Sequence, residues 1–314
     1  MSTPHAYFQK QVMPLADAKL GIMTHAFNYG TGVFEGIRGN WNADDETVYL
    51  FRVQEHLRRL AMSAKIIRTD LGHTAEELTA LIKQIVTLSG IREDQYIRPL
   101  AYKSSEALGV RVHDLEDDLL IFVAPFGPYL DINAGIRCQT STWRSVEDTT
   151  IPARAKTTAA YLNSALAKTE AIENGFDEAI LLNQDGHVSE GSGENIVIVR
   201  DGRLITPARS DNVLEGITLA TVAELATEEL GLEVVERTIN RSEFYVADEA
   251  FMTGTAAHVT PIIEVDRRSV GDGQIGPISK RLQELYFAAI YGRSPKYAHW
   301  CTPVPLRQPV RQEA

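Results

Sequence analysis

Three groups of residues in this sequence have the types and spacing to do chemistry. Lys156 lies among small residues just before a predicted helix, where partial desolvation favours a nucleophilic amine. Glu190 is flanked by glycine, which lets a flat ligand approach the backbone, and its carboxylate could pair with a cationic ring nitrogen. The segments 215–218 and 254–255 each join glycine to threonine, and the first precedes a helix whose N–H groups and dipole favour a phosphate.

Each group alone also fits an ordinary structural role. Lys156 could be a surface lysine, Glu190 a solvated acid in a hairpin, and Thr218 a common helix start. Taken together, an amine for a Schiff base, a carboxylate for a ring nitrogen and a phosphate cradle are what pyridoxal 5'-phosphate requires of a protein. The combination therefore predicts a site for this cofactor.

Strands and helices must both contribute to positioning these residues. The β-branched and aromatic residues 47–52 predict a strand, and the capping box of Thr74 and Glu77 predicts the start of a helix. Apolar spacing predicts helices over 54–67, 158–174, 218–230 and 279–291, and strands over 96–101, 118–124, 178–182, 187–190, 194–199 and 249–253. This mixture lacks the regular alternation of a doubly wound sheet or a TIM barrel.

The length of 314 residues suits two domains of ordinary size. We expect an α/β (α+β) fold with a small N-terminal domain over 1–124, an interdomain linker over 125–132 and a larger cofactor-binding domain over 133–314. The cofactor is expected between the two domains. Two prolines and a glycine favour the linker, and three prolines after residue 302 predict a loose tail over 302–314.

Charge and composition exclude several other classes of protein. A formal net charge of -11 opposes binding to nucleic acid or to anionic lipid. The two cysteines and eight histidines show no metal-binding spacing, so neither a metal site nor a disulfide framework is predicted. No apolar run approaches the roughly 18 residues of a membrane span. Together with the free thiols, this predicts a cytoplasmic protein without membrane partners.

Seven motifs follow one another along the chain in the order typical of one enzyme family. They are His25-Ala-Phe-Asn-Tyr-Gly-Thr-Gly-Val-Phe-Glu-Gly-Ile-Arg38, Glu55-His-Leu-Arg-Arg-Leu60, Tyr96-Ile-Arg-Pro99, Lys156 with Tyr161-Leu-Asn-Ser164, Glu190-Gly-Ser-Gly-Glu-Asn195, Leu214-Glu-Gly-Ile-Thr218 and Phe251-Met-Thr-Gly-Thr-Ala-Ala257. Over residues 17–291, the chain resembles the branched-chain amino-acid aminotransferases, which are pyridoxal-phosphate enzymes of fold type IV. The resemblance implies transamination between L-leucine, L-isoleucine or L-valine and 2-oxoglutarate, giving branched-chain 2-oxo acids and L-glutamate.

For the cofactor, the resemblance implies one covalent residue and a set of binding residues. Lys156 would form the internal aldimine and then shuttle the proton. Glu190 would keep the pyridine nitrogen protonated, and Tyr161 would bond the phenolic oxygen of the cofactor. The residues that would hold the phosphate or pack on the ring are Arg59, Leu214, Gly216, Ile217, Thr218, Gly254 and Thr255.

For the substrate, the resemblance implies a carboxylate site and an apolar pocket. Tyr96 and backbone N–H groups near Thr255 would take the α-carboxylate. Arg98 would pair with the γ-carboxylate of glutamate and stay solvated when an aliphatic chain is bound. Arg38 would either steer carboxylates or form a salt bridge between elements. The other substrate residues would be Tyr29, Phe34, Gly36, Phe126, Tyr129, Ala256 and Ala257.

Two departures from the family pattern bear on the substrate and on assembly. Phe126 stands where bacterial members commonly carry tryptophan, which predicts a wider pocket. A D-amino-acid or (R)-amine aminotransferase, or an aminodeoxychorismate lyase, of the same fold is therefore an alternative, and a catalytically silent binding module is a second. The segment 109–112 carries Arg111; because this loop reaches the neighbouring subunit's site in the family, it predicts a homodimer or a higher homo-oligomer.

Overall fold

The structure is a computed structural model that describes residues 3–127 and 130–306. The chain forms two compact units, Met1–Gly127 with Ala288–Ala314 (unit 1) and Pro128–Phe287 (unit 2). The change of unit after Gly127 falls inside the predicted linker over 125–132, in which residues 128 and 129 lie outside the described part. Unlike the predicted division, which gives all of 133–314 to one domain, the described residues from 288 to 306 belong to unit 1.

The elements in chain order begin with β1 (His5–Phe8), β2 (Gln11–Pro14), α1 (His25–Tyr29), β3 (Gly32–Phe34), β4 (Ile37–Asn42), β5 (Thr47–Phe51), α2 (Val53–Ile66), α3 (Ala75–Ser89), β6 (Gln95–Lys103) and β7 (Asp117–Pro125). They continue with β8 (Ile136–Arg144), α4 (Tyr161–Glu173), β9 (Glu178–Leu182), β10 (Val188–Gly191), β11 (Asn195–Arg200), β12 (Arg203–Thr206), α5 (Ile217–Leu230), β13 (Val234–Glu236), β14 (Glu249–Gly254), β15 (His258–Val265), β16 (Arg268–Ser269), α6 (Pro277–Ile290) and β17 (Cys301–Pro305). Across the described part of the chain, no helix combines the length and apolar character needed to cross a membrane.

Unit 1 is an antiparallel sheet with helices α2 and α3 packed on it. The strand order is β17-β5-β4-β6-β7-β1-β2, with β3 beside β6. The predicted capping box is present at the start of α3: Thr74 Oγ1 accepts a hydrogen bond from the Glu77 N–H at 3.2 Å, and the Thr74 N–H donates to Glu77 Oε2 at 2.8 Å. The apolar faces of both helices and of the sheet form one core, which includes Leu57, Leu60, Ile82, Ile85, Ile97 and Ile121.

Unit 2 is a mixed sheet, in the order β10-β9-β8-β15-β14-β11-β12-β13, with β16 beside β15. Helix α4 connects the parallel pair β8 and β9, and α5 connects the parallel pair β12 and β13. The strand β11 is almost completely buried, as a continuous apolar run predicts. The predicted mixed α/β class is therefore confirmed, with an antiparallel sheet in one unit and a mixed sheet in the other.

The last strand, β17, corrects the expectation of a loose tail from residue 302. Cys301–Pro305 pairs antiparallel with β5, and Val304 is buried in the core of unit 1. Prolines are tolerated here because β17 is at the edge of the sheet and, among the described strands, pairs only with β5. On its other side the described chain has no strand to which the missing N–H would have to donate. Residues 307–314 of the predicted tail lie outside the described part.

Candidate active site

Lys156 and Tyr161 meet at the start of α4 in unit 2. Lys156 is half-buried in the loop that follows β8, and its Nζ donates to the Tyr161 hydroxyl at 2.7 Å. A turn in which Thr157 Oγ1 accepts from the Ala160 N–H at 3.3 Å precedes the helix and holds this loop. The structure thus places a primary amine beside a phenol, the pair that the family resemblance assigns to the cofactor's reactive carbon and phenolic oxygen.

Glu190 lies on β10 beside the segment that carries Leu214. Its Oε2 accepts a hydrogen bond from the Leu214 N–H at 3.0 Å, and the Asn195 side chain donates to the Leu214 carbonyl at 2.8 Å. Leu214 is therefore tied to both ends of the glycine-containing turn between β10 and β11. Two predicted cofactor residues, the carboxylate for the ring nitrogen and the leucine for the ring face, are brought together.

The start of α5 has the features of an anion site. The helix begins at Ile217 after Gly216, no side chain caps it, and Thr218 is buried in its first turn. N–H groups at a helix start have no acceptor within the helix and lie at the positive end of its dipole. A Cβ at Gly216 would lie 1.8 Å from Asn195 Oδ1, so only glycine fits this approach. Asn195 also pairs with Thr253 in the sheet, and a Cβ at Gly254 would lie 3.4 Å from the Glu194 side chain in the turn before Asn195. Thr255, Ala256 and Ala257 follow in the connection between β14 and β15.

These residues of unit 2 fit pyridoxal 5'-phosphate by their chemistry. An amine, a phenol, a carboxylate, an uncapped helix start and threonine hydroxyls are the groups that its aldehyde, phenolic oxygen, ring nitrogen and phosphate need. The salt bridge between Arg154 and Glu215 at 3.9 Å connects the lysine loop to the loop that starts α5. The residues that the sequence motifs indicate for this cofactor thus come from segments far apart in the sequence.

Predicted substrate residues come together on unit 1. Arg98 donates to the Tyr96 hydroxyl at 2.9 Å, and its guanidinium lies 4.4 Å from the centre of the Phe34 ring. A Cβ at Gly36 would lie 2.3 Å from the Tyr96 hydroxyl oxygen, so a side chain there would collide with the tyrosine. Phe122, which no sequence motif indicated, also lies 5.9 Å from the guanidinium because β6 and β7 pair Arg98 with it.

Arg38 and Phe126 lie beside this group. Arg38 is buried, with Nη2 at 4.0 Å from Asp94 Oδ2 and its guanidinium 5.0 Å from the Phe126 ring centre. The Phe126 ring is 5.3 Å from that of Tyr96. Of the two roles foreseen for Arg38, the contact with Asp94 is the salt bridge between elements.

Tyr29 contacts the loop that carries Arg111. Its hydroxyl accepts from the Gly109 N–H at 3.1 Å, and His25 Nε2 lies 2.7 Å from the Gly109 carbonyl oxygen. The buried His25 was missed as a loop anchor, although its spacing of four residues from Tyr29 puts both on one face of α1. Tyr129 lies outside the described residues.

Arg59 is buried and pairs with a carboxylate for which the sequence predicted no role. Its guanidinium is paired with Glu35, which is 0% exposed. Burial alone would raise the pKa of Glu35, but the charge and hydrogen bonds of Arg59, with a smaller contribution from His56, lower it to about 2. Glu35 and His56 both stand inside motifs noted in the sequence, and that position is the signal that could have found them.

A second buried carboxylate, Glu194, lies in the turn after Glu190. Burial and the charge of Glu178 raise the pKa of Glu194 to about 8, against a hydrogen bond from the Gly193 N–H and the charge of Lys168. Its Oε2 accepts from the Gly193 N–H at 3.0 Å, and the Gly191 N–H donates to its backbone carbonyl at 2.7 Å. The Glu194 side chain thus holds the turn that directly follows Glu190 on β10.

Comparison with known proteins identifies the family of the chain. The family described as amino-transferase class IV matches residues 32–265. A probable branched-chain-amino-acid aminotransferase of Aquifex aeolicus is 49% identical over 303 residues, which cover 96% of this chain and 97% of that one. The chain therefore belongs to the class IV aminotransferases and, within them, to the family of branched-chain-amino-acid aminotransferases.

Solved structures of this family share the fold. The branched-chain aminotransferase of Thermoproteus uzoniensis with norvaline is 44% identical, with a TM-score of 0.90 over 97% of this chain and 100% of that one. A second branched-chain aminotransferase, named as the T.th. enzyme and complexed with N-(5'-phosphopyridoxyl)-L-glutamate, is 41% identical, with a TM-score of 0.90 over 96% and 98% of the two chains. The expected fold type IV, the enzyme class and the cofactor pyridoxal 5'-phosphate are thereby confirmed.

Proposed function

We propose that this enzyme transfers the amino group between L-leucine, L-isoleucine or L-valine and 2-oxoglutarate, with Lys156 as its catalytic residue. The Lys156–Tyr161 contact, in the same unit as Glu190 and the start of α5, carries this proposal. The names of the relatives support the branched-chain substrates, and the phosphopyridoxyl-glutamate bound to the T.th. enzyme supports glutamate as the second amino acid.

Lys156 would hold the cofactor's carbonyl carbon and move the proton at the substrate Cα. When bound, pyridoxal 5'-phosphate supplies an aldehyde that condenses with amines and a ring that takes up electron density from Cα. The Nζ of Lys156 would accept the proton from Cα, since an amine is a suitable general base for that atom. Tyr161, which already hydrogen-bonds Nζ, would orient this amine and stabilise the phenolic oxygen.

Glu190 and the start of α5 would orient the ring from opposite ends. The carboxylate of Glu190, held by the Leu214 N–H, would keep a proton on the ring nitrogen. Thr218, Thr255 and the Ile217 N–H would bind the phosphate, because an uncapped helix start provides donors and a positive dipole end. Arg59 would add a guanidinium, whose parallel donors match phosphate oxygens.

Arg98 would let one pocket accept both an aliphatic chain and glutamate. Its half-buried guanidinium lies against the ring of Phe34 and donates a hydrogen bond to Tyr96. Within residues 3–127 and 130–306, no carboxylate forms an ion pair with it. A γ-carboxylate would gain a charge-assisted hydrogen bond there, and a branched chain would instead contact the apolar surface of Phe34.

Exposed apolar residues on α1 and on the loop before β7 would form the contact of a homodimer. Phe27 is 71% exposed and Val110 83% exposed, and their segments are tied together by the hydrogen bond between the His25 N–H and the Ser105 carbonyl. Large exposed apolar side chains on adjoining segments are typical of an interaction surface. Sedimentation should therefore show a dimer that Val110→Asp weakens, whereas a fully active monomer would refute this assembly.

The assay that tests the proposed reaction measures L-glutamate formed from 2-oxoglutarate with L-leucine, L-isoleucine or L-valine as donor. The cofactor-loaded enzyme is expected to form glutamate with all three donors. Faster turnover of D-alanine or a simple (R)-amine than of L-leucine would favour the alternative aminotransferases of the same fold. No turnover of any amine by protein that holds the cofactor would refute the proposal.

A further inference from the structure

Glu35 occupies an unusual position between two sets of predicted site residues. It lies in the connection between β3 and β4, directly between Phe34 and Gly36, and it is 0% exposed. Its backbone N–H donates to the Pro99 carbonyl at 2.9 Å, next to Arg98, which fixes the segment on β6. The side chain therefore starts from backbone that is already held at the predicted substrate residues.

The carboxylate of Glu35 reaches helix α2, where it accepts two hydrogen bonds from Arg59. Arg59 Nε donates to Oε1 of Glu35 at 2.7 Å, and Nη2 donates to Oε2 at 2.8 Å. Nδ1 of His56 contacts the same Oε2 at 2.6 Å. His56 and Arg59 are three residues apart on the buried face of α2, so one carboxylate meets both.

The two parallel hydrogen bonds to Glu35 fix the orientation of the whole Arg59 guanidinium. The group is planar and rigid, so holding Nε and Nη2 sets the plane and direction of all five donors. Without the carboxylate, the long arginine side chain would regain its rotamer freedom, and its buried charge would lack this partner. The lowered pKa of Glu35 keeps the carboxylate ionised, and these hydrogen bonds in place, throughout the neutral range.

We propose that Glu35 is a positioning residue that orients the Arg59 guanidinium for binding the cofactor's phosphate. Because Glu35 lies between Phe34 and Gly36, it also connects the orientation of Arg59 to the position of this substrate segment. The inference rests on the proposed role of Arg59 in phosphate binding. It differs from a purely structural role because it predicts an effect on phosphate recognition, and not only on folding.

The test compares two forms of one ligand, pyridoxal 5'-phosphate and pyridoxal, which lacks the phosphate. Each is titrated into cofactor-stripped wild-type and Glu35→Gln protein, and binding is followed by visible absorption. The variant should bind pyridoxal 5'-phosphate about tenfold more weakly, the effect expected for a lost charge-assisted hydrogen bond. Its affinity for pyridoxal should change by less than about twofold.

A matched control is available in unit 2. Glu249 is also a buried carboxylate, and it accepts hydrogen bonds from the Ser279 N–H and hydroxyl, each at 2.7 Å. Glu249→Gln should lower stability without changing the ratio of the two affinities. If Glu35→Gln does not fold, Glu35→Asp is used, because it keeps the charge but withdraws the carboxylate by one methylene; the same selective loss of pyridoxal 5'-phosphate affinity is expected.

The outcomes separate this inference from the proposed function. Equal weakening of both ligands, an unchanged affinity for pyridoxal 5'-phosphate, or tighter binding through a freed arginine charge would each overturn the positioning role. A combined Glu35→Gln and Arg59→Lys variant should be no worse than Arg59→Lys alone, since the carboxylate acts through the arginine. Wild-type protein that binds neither ligand would instead refute the proposed function itself.

Discussion

A buried carboxylate beside predicted site residues in unit 1 and another in unit 2 have pKa values shifted in opposite directions. Glu35 in unit 1 contacts Arg59 and His56, and its pKa is lowered to about 2. Glu194 in unit 2 faces the carboxylates of Glu178 and Glu190, and its pKa is raised to about 8. Burial opposes ionisation at both sites and is the main cause of the raised pKa of Glu194, whereas at Glu35 the charge and hydrogen bonds of Arg59 outweigh it.

The difference shows how the two units fix functional groups. In unit 1 an ionised carboxylate orients a cation, so its effect depends on charge. In unit 2 a neutral acid accepts a hydrogen bond from the backbone of a turn, and Lys168 compensates Glu178 with a contact of 2.6 Å. We therefore expect substitutions in unit 1 to act on selected ligands and those in the reactive part of unit 2 to act on every substrate.

Lys156→Ala should have the largest effect and should treat all substrates alike. Removing the amine removes both the covalent attachment and the base, so turnover should fall by about 10⁴-fold or more with leucine and with glutamate. Steady-state kinetics of both half-reactions check this, with Lys280→Ala, an exposed lysine on α6, as the control. A Lys156→Ala variant that transaminates at the normal rate would refute the catalytic role of Lys156 in unit 2.

Glu35→Gln should have the next largest effect, on stability. The shift of the pKa from 4.5 to about 2 corresponds to about 3 kcal/mol of free energy of unfolding at neutral pH. Because the pKa is lowered in the folded state, this stability is present above pH 4.5 and is lost as the pH falls towards 2. Urea unfolding at several pH values should show the difference from wild type shrinking with acid; a constant difference would argue against an ionised Glu35.

Arg98→Ala should sharpen the comparison by separating the two substrates. Only glutamate needs the charge, so kcat/KM for glutamate should fall on the order of a hundredfold, while that for leucine should fall by less than about tenfold. The ratio of the two constants is the informative quantity. Equal losses would assign Arg98 a structural role against Phe34 and Tyr96.

Glu194→Gln should have the smallest effect, confined to the pH dependence of stability. The folded state holds a proton on Glu194 that the unfolded state releases above about pH 4.5, so stability is lost as pH rises towards 8. Between pH 6 and 7 wild type should lose about 1 kcal/mol more than the variant, which keeps the neutral shape. Identical slopes would show that Glu194 is ionised like Glu35 and would end the contrast.

Local sequence signals predicted the elements that local chemistry determines. The capping box at Thr74 located the start of α3, and the apolar run predicted for 118–124 is found as β7, Asp117–Pro125. The hairpin of β1 and β2 and the five-residue α1 were missed, because short elements stabilised by tertiary packing carry little periodic signal. The strand β17 was missed because its prolines suggest a loop, whereas a sheet edge tolerates them.

At the candidate site, the motifs predicted residues that bind the cofactor or substrate, but they did not predict the neighbouring side chains that orient these residues. The contacts of Lys156 with Tyr161 and of Glu190 with Leu214 join residues that the sequence had already singled out. Glu35 could not be assigned a role from the sequence, since its pairing with Arg59 spans 24 positions and depends on how α2 packs on the strands. A residue that orients a site residue, as Glu35 orients Arg59, can be identified only when burial and distances are known.

The most direct test of the central claim is a half-reaction on the holoenzyme with L-leucine and no 2-oxo acid. We expect the visible absorption band of the bound cofactor to disappear, with pyridoxamine 5'-phosphate and the 2-oxo acid of leucine formed in equal amounts. D-alanine serves as the control and should leave the band unchanged. A band that persists with L-leucine but fades with D-alanine or an (R)-amine would contradict the assignment to L-branched-chain amino acids.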